Sequence, residues 1–257
     1  MSKKRVLVTG ATGRTGLLVV NKLRQLSDKF EVFGFARNYE KVKELFDSTE
    51  GFFIGNISDE SSLETALKGC DCLVIVTSAV PKMKAPPQEG KPPEFEFEPG
   101  GMPEEVDWIG QKNQIDIAKK LGINQIVLVG SMGGTNPNHP LNKIGNGNIL
   151  IWKRKAEEYL INSGINYTII RAGGLINEPG GKRELIVGKN DTLLENPPNG
   201  ISTVIPREDV AELVVQSLIE TTAKNKAFDV ITKPEDDSSA VITKDFASLF
   251  EQATPGL

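Results

Sequence analysis

Three glycines at intervals of three, in Thr9-Gly10-Ala11-Thr12-Gly13-Arg14-Thr15-Gly16, follow an apolar run from Arg5 to Val8 and open the amphipathic stretch Leu17-Leu18-Val19-Val20. At a strand-to-helix turn, glycines in this order serve a diphosphate. Gly10 takes the tight bend, Gly13 lets the backbone approach the pyrophosphate, and Gly16 brings the helix against the sheet, while exposed amides and the helix dipole draw the anion. The implied chemistry is dinucleotide binding. The next strand, Glu31 to Ala36, runs into Arg37-Asn38. A carboxylate there would accept the ribose 2′-hydroxyl of NAD, whereas a guanidinium holds a 2′-phosphate by charge-assisted hydrogen bonds and stacks on adenine. Arg37 therefore predicts NADP(H).

Other reactive side chains are sparse. The one histidine, His139, falls in the loop from Gly133 to Gly147 and reads as a solvated loop residue. Trp108 and Trp152 could stack on a planar substrate, although an aromatic on the core face of a helix is the commoner arrangement. Gln111 and Asn113 could reach cofactor or substrate, or simply be polar surface. Cys70 and Cys72 are one residue apart, too close for an ordinary structural disulfide and too few for zinc. They predict buried thiols in a reducing compartment and no metal site.

The elements that must position these groups alternate between short β-branched runs and helical stretches, the pattern of a parallel sheet. Strands are expected at Arg5 to Val8, Glu31 to Ala36, Phe52 to Ile54, Cys72 to Val76, Gln125 to Val129, Tyr167 to Ile170, Leu185 to Val187, Thr203 to Ile205 and Phe228 to Ile231. Helices are expected at Tyr39 to Phe46, Glu60 to Leu67, Val106 to Leu121, Asn148 to Ser163, Pro206 to about Leu218 and Asp245 to Phe250. Between Ser78 and Glu104 the prolines Pro81, Pro86, Pro87, Pro92, Pro93, Pro99 and Pro103 interrupt the alternation. A long loop leaving the carboxyl end of a central strand is a candidate lid, because ligands of open α/β sheets bind at that edge. The expected fold class is α/β: a Rossmann doubly wound parallel sheet with helices on both faces and a small C-terminal substrate-side extension. All 257 residues form one domain in this reading, with 78–104 as the candidate lid and 172–205 as the substrate-side segment.

The formal net charge is -4 and the basic residues are scattered, which argues against nucleic acid or an anionic membrane as partner. No apolar stretch approaches the ~20 residues that cross a bilayer. A small-molecule substrate, a monomer or homodimer, and a cytoplasmic location are expected, with an organelle stroma as the alternative if a transit peptide has been removed.

The glycine motif, Gly130-Ser131-Met132-Gly133-Gly134, Trp152-Lys153-Arg154-Lys155-Ala156-Glu157-Glu158-Tyr159-Leu160 and Tyr167-Thr168-Ile169-Ile170-Arg171-Ala172-Gly173-Gly174-Leu175 together resemble the atypical short-chain dehydrogenase/reductase family. The resemblance is to its NAD(P)-binding, NmrA-like branch within the NAD-dependent epimerase/dehydratase superfamily, with uncharacterised plant and cyanobacterial members. It implies that Gly10, Ala11, Thr12, Gly13, Arg14, Thr15, Gly16 and Arg37 hold the dinucleotide. Asn56 and Ile57, where relatives often carry Gly-Asp, would cover the adenine, and Thr77, Ser78 and Ala79 would lie against ribose and pyrophosphate. Ser131 matches the active-site serine, Lys153 the lysine that holds the nicotinamide ribose, and Arg171, Ala172, Gly173 and Gly174 the Arg-Pro-Gly segment beside the nicotinamide, with alanine for proline.

One departure bears on mechanism. In a Tyr-x-x-x-Lys helix the lysine one turn on lowers the phenol's pKa so that it can exchange the substrate proton. Here the residue four before Lys153 is Ile149, and Tyr159 lies too far along the helix to substitute. Hydride transfer needs only an oriented nicotinamide and an acceptor, and the flavin and biliverdin reductases that the family resembles also lack that tyrosine. The expectation is an NADP(H)-dependent oxidoreductase acting on a small conjugated or carbonyl acceptor, with Ser131 and Lys153 nearest the reaction and water, Lys153, Ser131 or His139 as proton source. The alternative is an NADP(H)-binding redox sensor or scaffold of NmrA type. An epimerase or dehydratase ranks lower because such chemistry leans on the missing phenol.

Overall fold

A computed structural model describes residues 2–84 and 93–256. The first half alternates β1 (Lys4–Thr9), α1 (Arg14–Gln25), β2 (Phe30–Ala36), α2 (Tyr39–Leu45), β3 (Phe52–Ile54), α3 (Glu60–Leu67) and β4 (Cys72–Ile75). Two-residue strands β5 (Lys82–Met83) and β6 (Phe95–Glu96) follow, then a π-helical turn (Glu104–Ile109) leading into α4 (Gly110–Lys120) and β7 (Gln125–Ser131). The second half comprises α5 (Pro140–Lys143), α6 (Ile149–Ile161), β8 (Asn166–Ala172), β9 (Gly174–Ile176), β10 (Leu185–Gly188), α7 (Thr192–Glu195), β11 (Val204–Pro206), α8 (Arg207–Ile219), β12 (Lys226–Thr232) and α9 (Phe246–Glu251).

Eight strands form one sheet in the order β10-β12-β8-β7-β4-β1-β2-β3. Every pairing is parallel except β10 on β12, which is antiparallel. The strands are apolar on both sides because both faces are covered. Val6 and Val8, Cys72 and Val74, Val127 and Val129 point into one core with Val19, Val20 and Leu23 of α1 and Val210, Val214 and Leu218 of α8. The alternate residues Leu7, Leu73, Ile75, Ile126 and Leu128 point the other way, toward Leu63 and Leu67 of α3, Ile115 and Ala118 of α4, and Leu160 of α6. This is the expected doubly wound sheet, and its carboxyl edge carries the ends of β1, β4, β7 and β8 together.

The structure adds features that local pattern missed. Helical backbone already begins at Pro103, and the turn from Glu104 to Ile109 is π, not α. Met83 pairs with Phe95 within the proline-rich segment, while Pro86, Pro87 and Pro92 and the centre of the candidate lid lie outside the described residues. Beyond β8 the chain changes sheets: Gly173 N–H donates to Val230 O at 3.0 Å in the main sheet, and Gly174 N–H donates to Thr203 O at 2.8 Å in a two-stranded sheet of β9 and β11. A Cβ on Gly173 would lie 2.5 Å from Thr203 O, so the crossing requires glycine.

Candidate active site

The turn between β1 and α1 has the tight sterics expected of an anion seat. Gly10 has φ +73°, and a Cβ there would sit 2.9 Å from the Val76 carbonyl. A Cβ on Gly16 would fall 2.1 Å from Gly10 O, against backbone that cannot swing aside. Gly13 caps α1 without any side-chain hydrogen bond, and the first turn holds no acidic residue. The amides at this end are thus free of internal carboxylates, the arrangement that binds phosphate. Arg14 is exposed at the start of α1, and its charge, after burial, holds the Arg207 guanidinium at the start of α8 below its ordinary range. The like charge of Arg14 is thus felt at Arg207, whose guanidinium donates to Leu175 O at 3.1 Å and Asn177 Oδ1 at 2.7 Å.

Arg37 is exposed directly beyond β2, and Asn38 caps α2 by accepting from Lys41 N–H at 3.0 Å. Asn56 turns its side chain onto Ser58 N–H at 3.2 Å. The segment from Thr77 to Ala79 leaves β4 under tight polar control. Gln111 donates to Thr77 O at 3.3 Å, Gln114 to Thr77 Oγ1 at 3.4 Å, and Thr9 donates to Gln114 Oε1 at 2.6 Å. Asn113 donates to Ile57 O at 3.1 Å. Gln111 and Asn113, read from sequence as either ligand contacts or surface, instead anchor the backbone of the two segments expected to flank the dinucleotide.

Lys153 is buried in α6 and donates to Asp107 Oδ1 at 2.7 Å. The other oxygen of Asp107 accepts Ala79 N–H at 3.0 Å. Asp107 has no exposed surface, so the ammonium and the carboxylate neutralise each other where neither could stand alone. Sequence reasoning missed Asp107. Its only signal was an acidic residue four positions before Gln111 on a helix with a buried face, which does not name a partner.

Ser131 ends β7 half-buried, its hydroxyl donating to Met132 O at 3.0 Å. In the sheet register it lies beside Ala172 of β8. The Arg171 guanidinium turns inward, donating to Glu157 Oε2 at 2.8 Å and lying 3.6 Å from Asp229 Oδ1. Burial pushes Glu157 and Asp229 above the usual carboxylate range, with Arg171 opposing in both cases.

Ile149 stands half-buried in the first turn of α6. Tyr159 donates to Asp116 Oδ1 at 2.5 Å on α4, which raises its pKa and commits the phenol to that carboxylate. His139 is half-buried, not freely solvated: its Nδ1 accepts Leu141 N–H at 3.3 Å, and a Cβ on Gly133 would lie 3.2 Å from its Nε2. The lone imidazole thus adjoins the loop after Ser131. Trp108 and Trp152 both face the Lys155 ammonium, at 4.3 and 5.1 Å from the ring centres. Phe97 packs against Gly147, where a Cβ would lie 2.7 Å from its ring, and so fastens the root of the proline-rich segment to the turn before α6. Among the described residues no helix is long and apolar enough to cross a membrane.

Comparison with known proteins agrees with this geometry. The chain is 57% identical over 97% of its length to an uncharacterised chloroplastic protein of Arabidopsis thaliana, of which it covers 75%. It is 53% identical over 98% of its length to sanguinarine reductase of Eschscholzia californica, of which it covers 97%. A solved structure from Bacillus halodurans, assigned as an NAD-dependent epimerase/dehydratase, superposes with a TM-score of 0.72 at 24% identity, over 97% of this chain and 99% of that one; it speaks for the fold. Residues 10–221 match the NAD(P)H-binding family, from the first glycine of the α1 turn to just past α8, and the chain is a member of that family.

Proposed function

We propose that this protein is an NADPH-dependent reductase of a small conjugated or carbonyl acceptor, with Ser131 and Lys153 nearest the reacting groups. The observation that carries the reading is the buried Lys153–Asp107 pair, tied through Ala79 to the exit of β4, at the edge where the glycine turn opens. The seat at Gly10, Gly13 and Gly16 fits a diphosphate, and Arg37 a 2′-phosphate. Bound NADPH supplies the two electrons of the reduction. Lys153, neutralised on its inner side by Asp107, orients ribose hydroxyls, and Ser131 offers a hydroxyl to an acceptor oxygen or nitrogen. With Ile149 in place of a phenol, the proton comes from water or from His139, which adjoins Gly133. A cleft of about 680 Å³ borders the 172–205 segment at Ile176, Arg183 and Val204 and is faced by Glu178 and Glu235, and in this reading that segment is the substrate side. The reductase named among the relatives supports the reaction type, and the chloroplastic relative supports an organelle stroma over the cytosol.

The test is NADPH oxidation with quinones, flavins and conjugated imines, comparing the wild type with Lys153→Ala. Turnover that falls on the order of a hundredfold in the variant is expected. Tight NADPH binding without turnover on any acceptor would favour the second reading, a redox sensor, for which Ile149 is the specific observation.

A further inference from the structure

Ser131 is followed by a loop whose position is dictated from far along the chain. Gly133 N–H donates to Asp191 Oδ1 at 2.7 Å, and the amide and hydroxyl of Thr135 both donate to Asp191 Oδ2, at 2.8 and 2.5 Å. Asp191 is only 4% exposed and takes the left-handed backbone region at φ +62°, preceded by Asn190 at φ +55°. Asparagine and aspartate tolerate that region better than other side chains. Two such residues in succession turn the carboxylate back under the loop.

Asp191 is held in turn. Its own N–H donates to Asp229 Oδ2 at 2.7 Å, Asp229 faces Arg171, and Arg171 donates to Glu157. Glu157 stands one helical turn after Lys153 on α6. Glycine at 130, directly before Ser131, is what lets this chain of charges close, because a Cβ there would lie 2.3 Å from Glu157 Oε1. The buried network therefore joins the element bearing Lys153 to the loop that follows Ser131, passing through the end of β8 at Arg171 and the middle of β12 at Asp229.

We propose that Asp191 is a positioning residue for the reaction: through Gly133 and Thr135 it sets the place of the Ser131 loop relative to α6, with Asp229, Arg171 and Glu157 as its support. The proposal rests on the reductase reading for its kinetic consequence. Burial acts to raise the Asp191 carboxyl, but the Thr135 hydroxyl, the Gly133 and Thr135 amides and the Arg171 charge outweigh it and hold the group below its usual range. The clamp therefore operates as a carboxylate. A loop held by three donors on one anion has little freedom to adapt. A misplacement of about 1 Å near reacting atoms lowers turnover by up to a hundredfold.

The experiment compares wild type, Asp191→Asn and Thr135→Val. It measures NADPH affinity by fluorescence titration, kcat and KM with a small quinone, and hydrogen–deuterium exchange over residues 131–136. Asp191→Asn should lower kcat on the order of tenfold or more, with NADPH affinity changed about twofold at most, and should speed exchange in that segment. Thr135→Val, which keeps the carboxylate and both amide bonds, should fall between the two and remain folded if Asp191→Asn does not. Unchanged kcat despite faster exchange, or exchange as slow as in the wild type, overturns the proposal. If the wild type reduces no acceptor, the reductase reading is what fails; exchange then decides the clamp, faster exchange in Asp191→Asn supporting it and unchanged exchange ending it.

Discussion

Lys153 and Asp107 meet at 2.7 Å although they come from different helices, and the second oxygen of Asp107 reaches Ala79 at the exit of β4. Three elements that converge on the carboxyl edge of the sheet are thereby locked through one carboxylate. The fold thus builds the counter-ion of the buried lysine into the same edge.

Separating this pair should cost more than removing it. Asp107→Ala leaves a buried cation unpaired, a loss of about 3–5 kcal/mol, and Lys153→Met strands the carboxylate with a similar penalty. The double variant Asp107→Ala/Lys153→Met should recover part of that stability in urea melts while staying inactive. Strictly additive losses would show that the two groups do not depend on each other.

The three glycines should fail differently. Gly16→Ala places a methyl 2.1 Å from Gly10 O and should destabilise the fold by roughly 1–3 kcal/mol. Gly13→Ala meets only a 3.1 Å contact and should melt near the wild type, yet lose NADPH affinity because the added methyl stands where the pyrophosphate approaches. Equal melting shifts in both variants, with affinity preserved in Gly13→Ala, would place the ligand elsewhere.

Arg37 lies in the open beyond β2, so replacing it should leave the fold intact. Arg37→Asp should weaken NADPH by about ten- to a hundredfold, the worth of charge-assisted hydrogen bonds to phosphate, while NADH affinity changes little. Added salt should narrow the wild-type preference as the exposed charges are screened. Calorimetry showing equal losses for both coenzymes would remove Arg37 from the 2′-phosphate site.

The two cysteines should be inert. Burial is the main cause that pushes the Cys70 and Cys72 thiols up to about 11. A raised thiol pKa means protonation until the pH nears that value, so at pH 8 about one molecule in a thousand carries the reactive thiolate. Cys72 is buried but Cys70, expected to be buried too, is only half-buried; native protein should take up alkylating reagent far more slowly than urea-unfolded protein, and rapid native labelling would contradict the raised thiol pKa values.

The alternation of strands and helices was legible along the chain because local periodicity and β-branching report which segments are covered on both faces. The glycine turn was legible because steric demands at Gly10 and Gly16 admit no other residue. The end of the second strand singled out Arg37, while Ser131 at the end of its strand and Lys153 within its helix were singled out by the family resemblance. Local pattern could not reveal that Gln111 and Asn113 brace backbone, or that His139 adjoins Gly133, since those roles depend on neighbours brought by other strands.

What the amino-acid order by itself determined was therefore the doubly wound sheet and the glycine turn after its first strand, both products of short-range pattern. What only the tertiary structure decided was the pairing of buried charges: Asp107 finds Lys153 across 46 residues and Asp191 finds Gly133 across 58. A buried carboxylate must be met by donors whatever their distance along the chain, and the identity of those donors emerges only when the sheet brings its strand ends together.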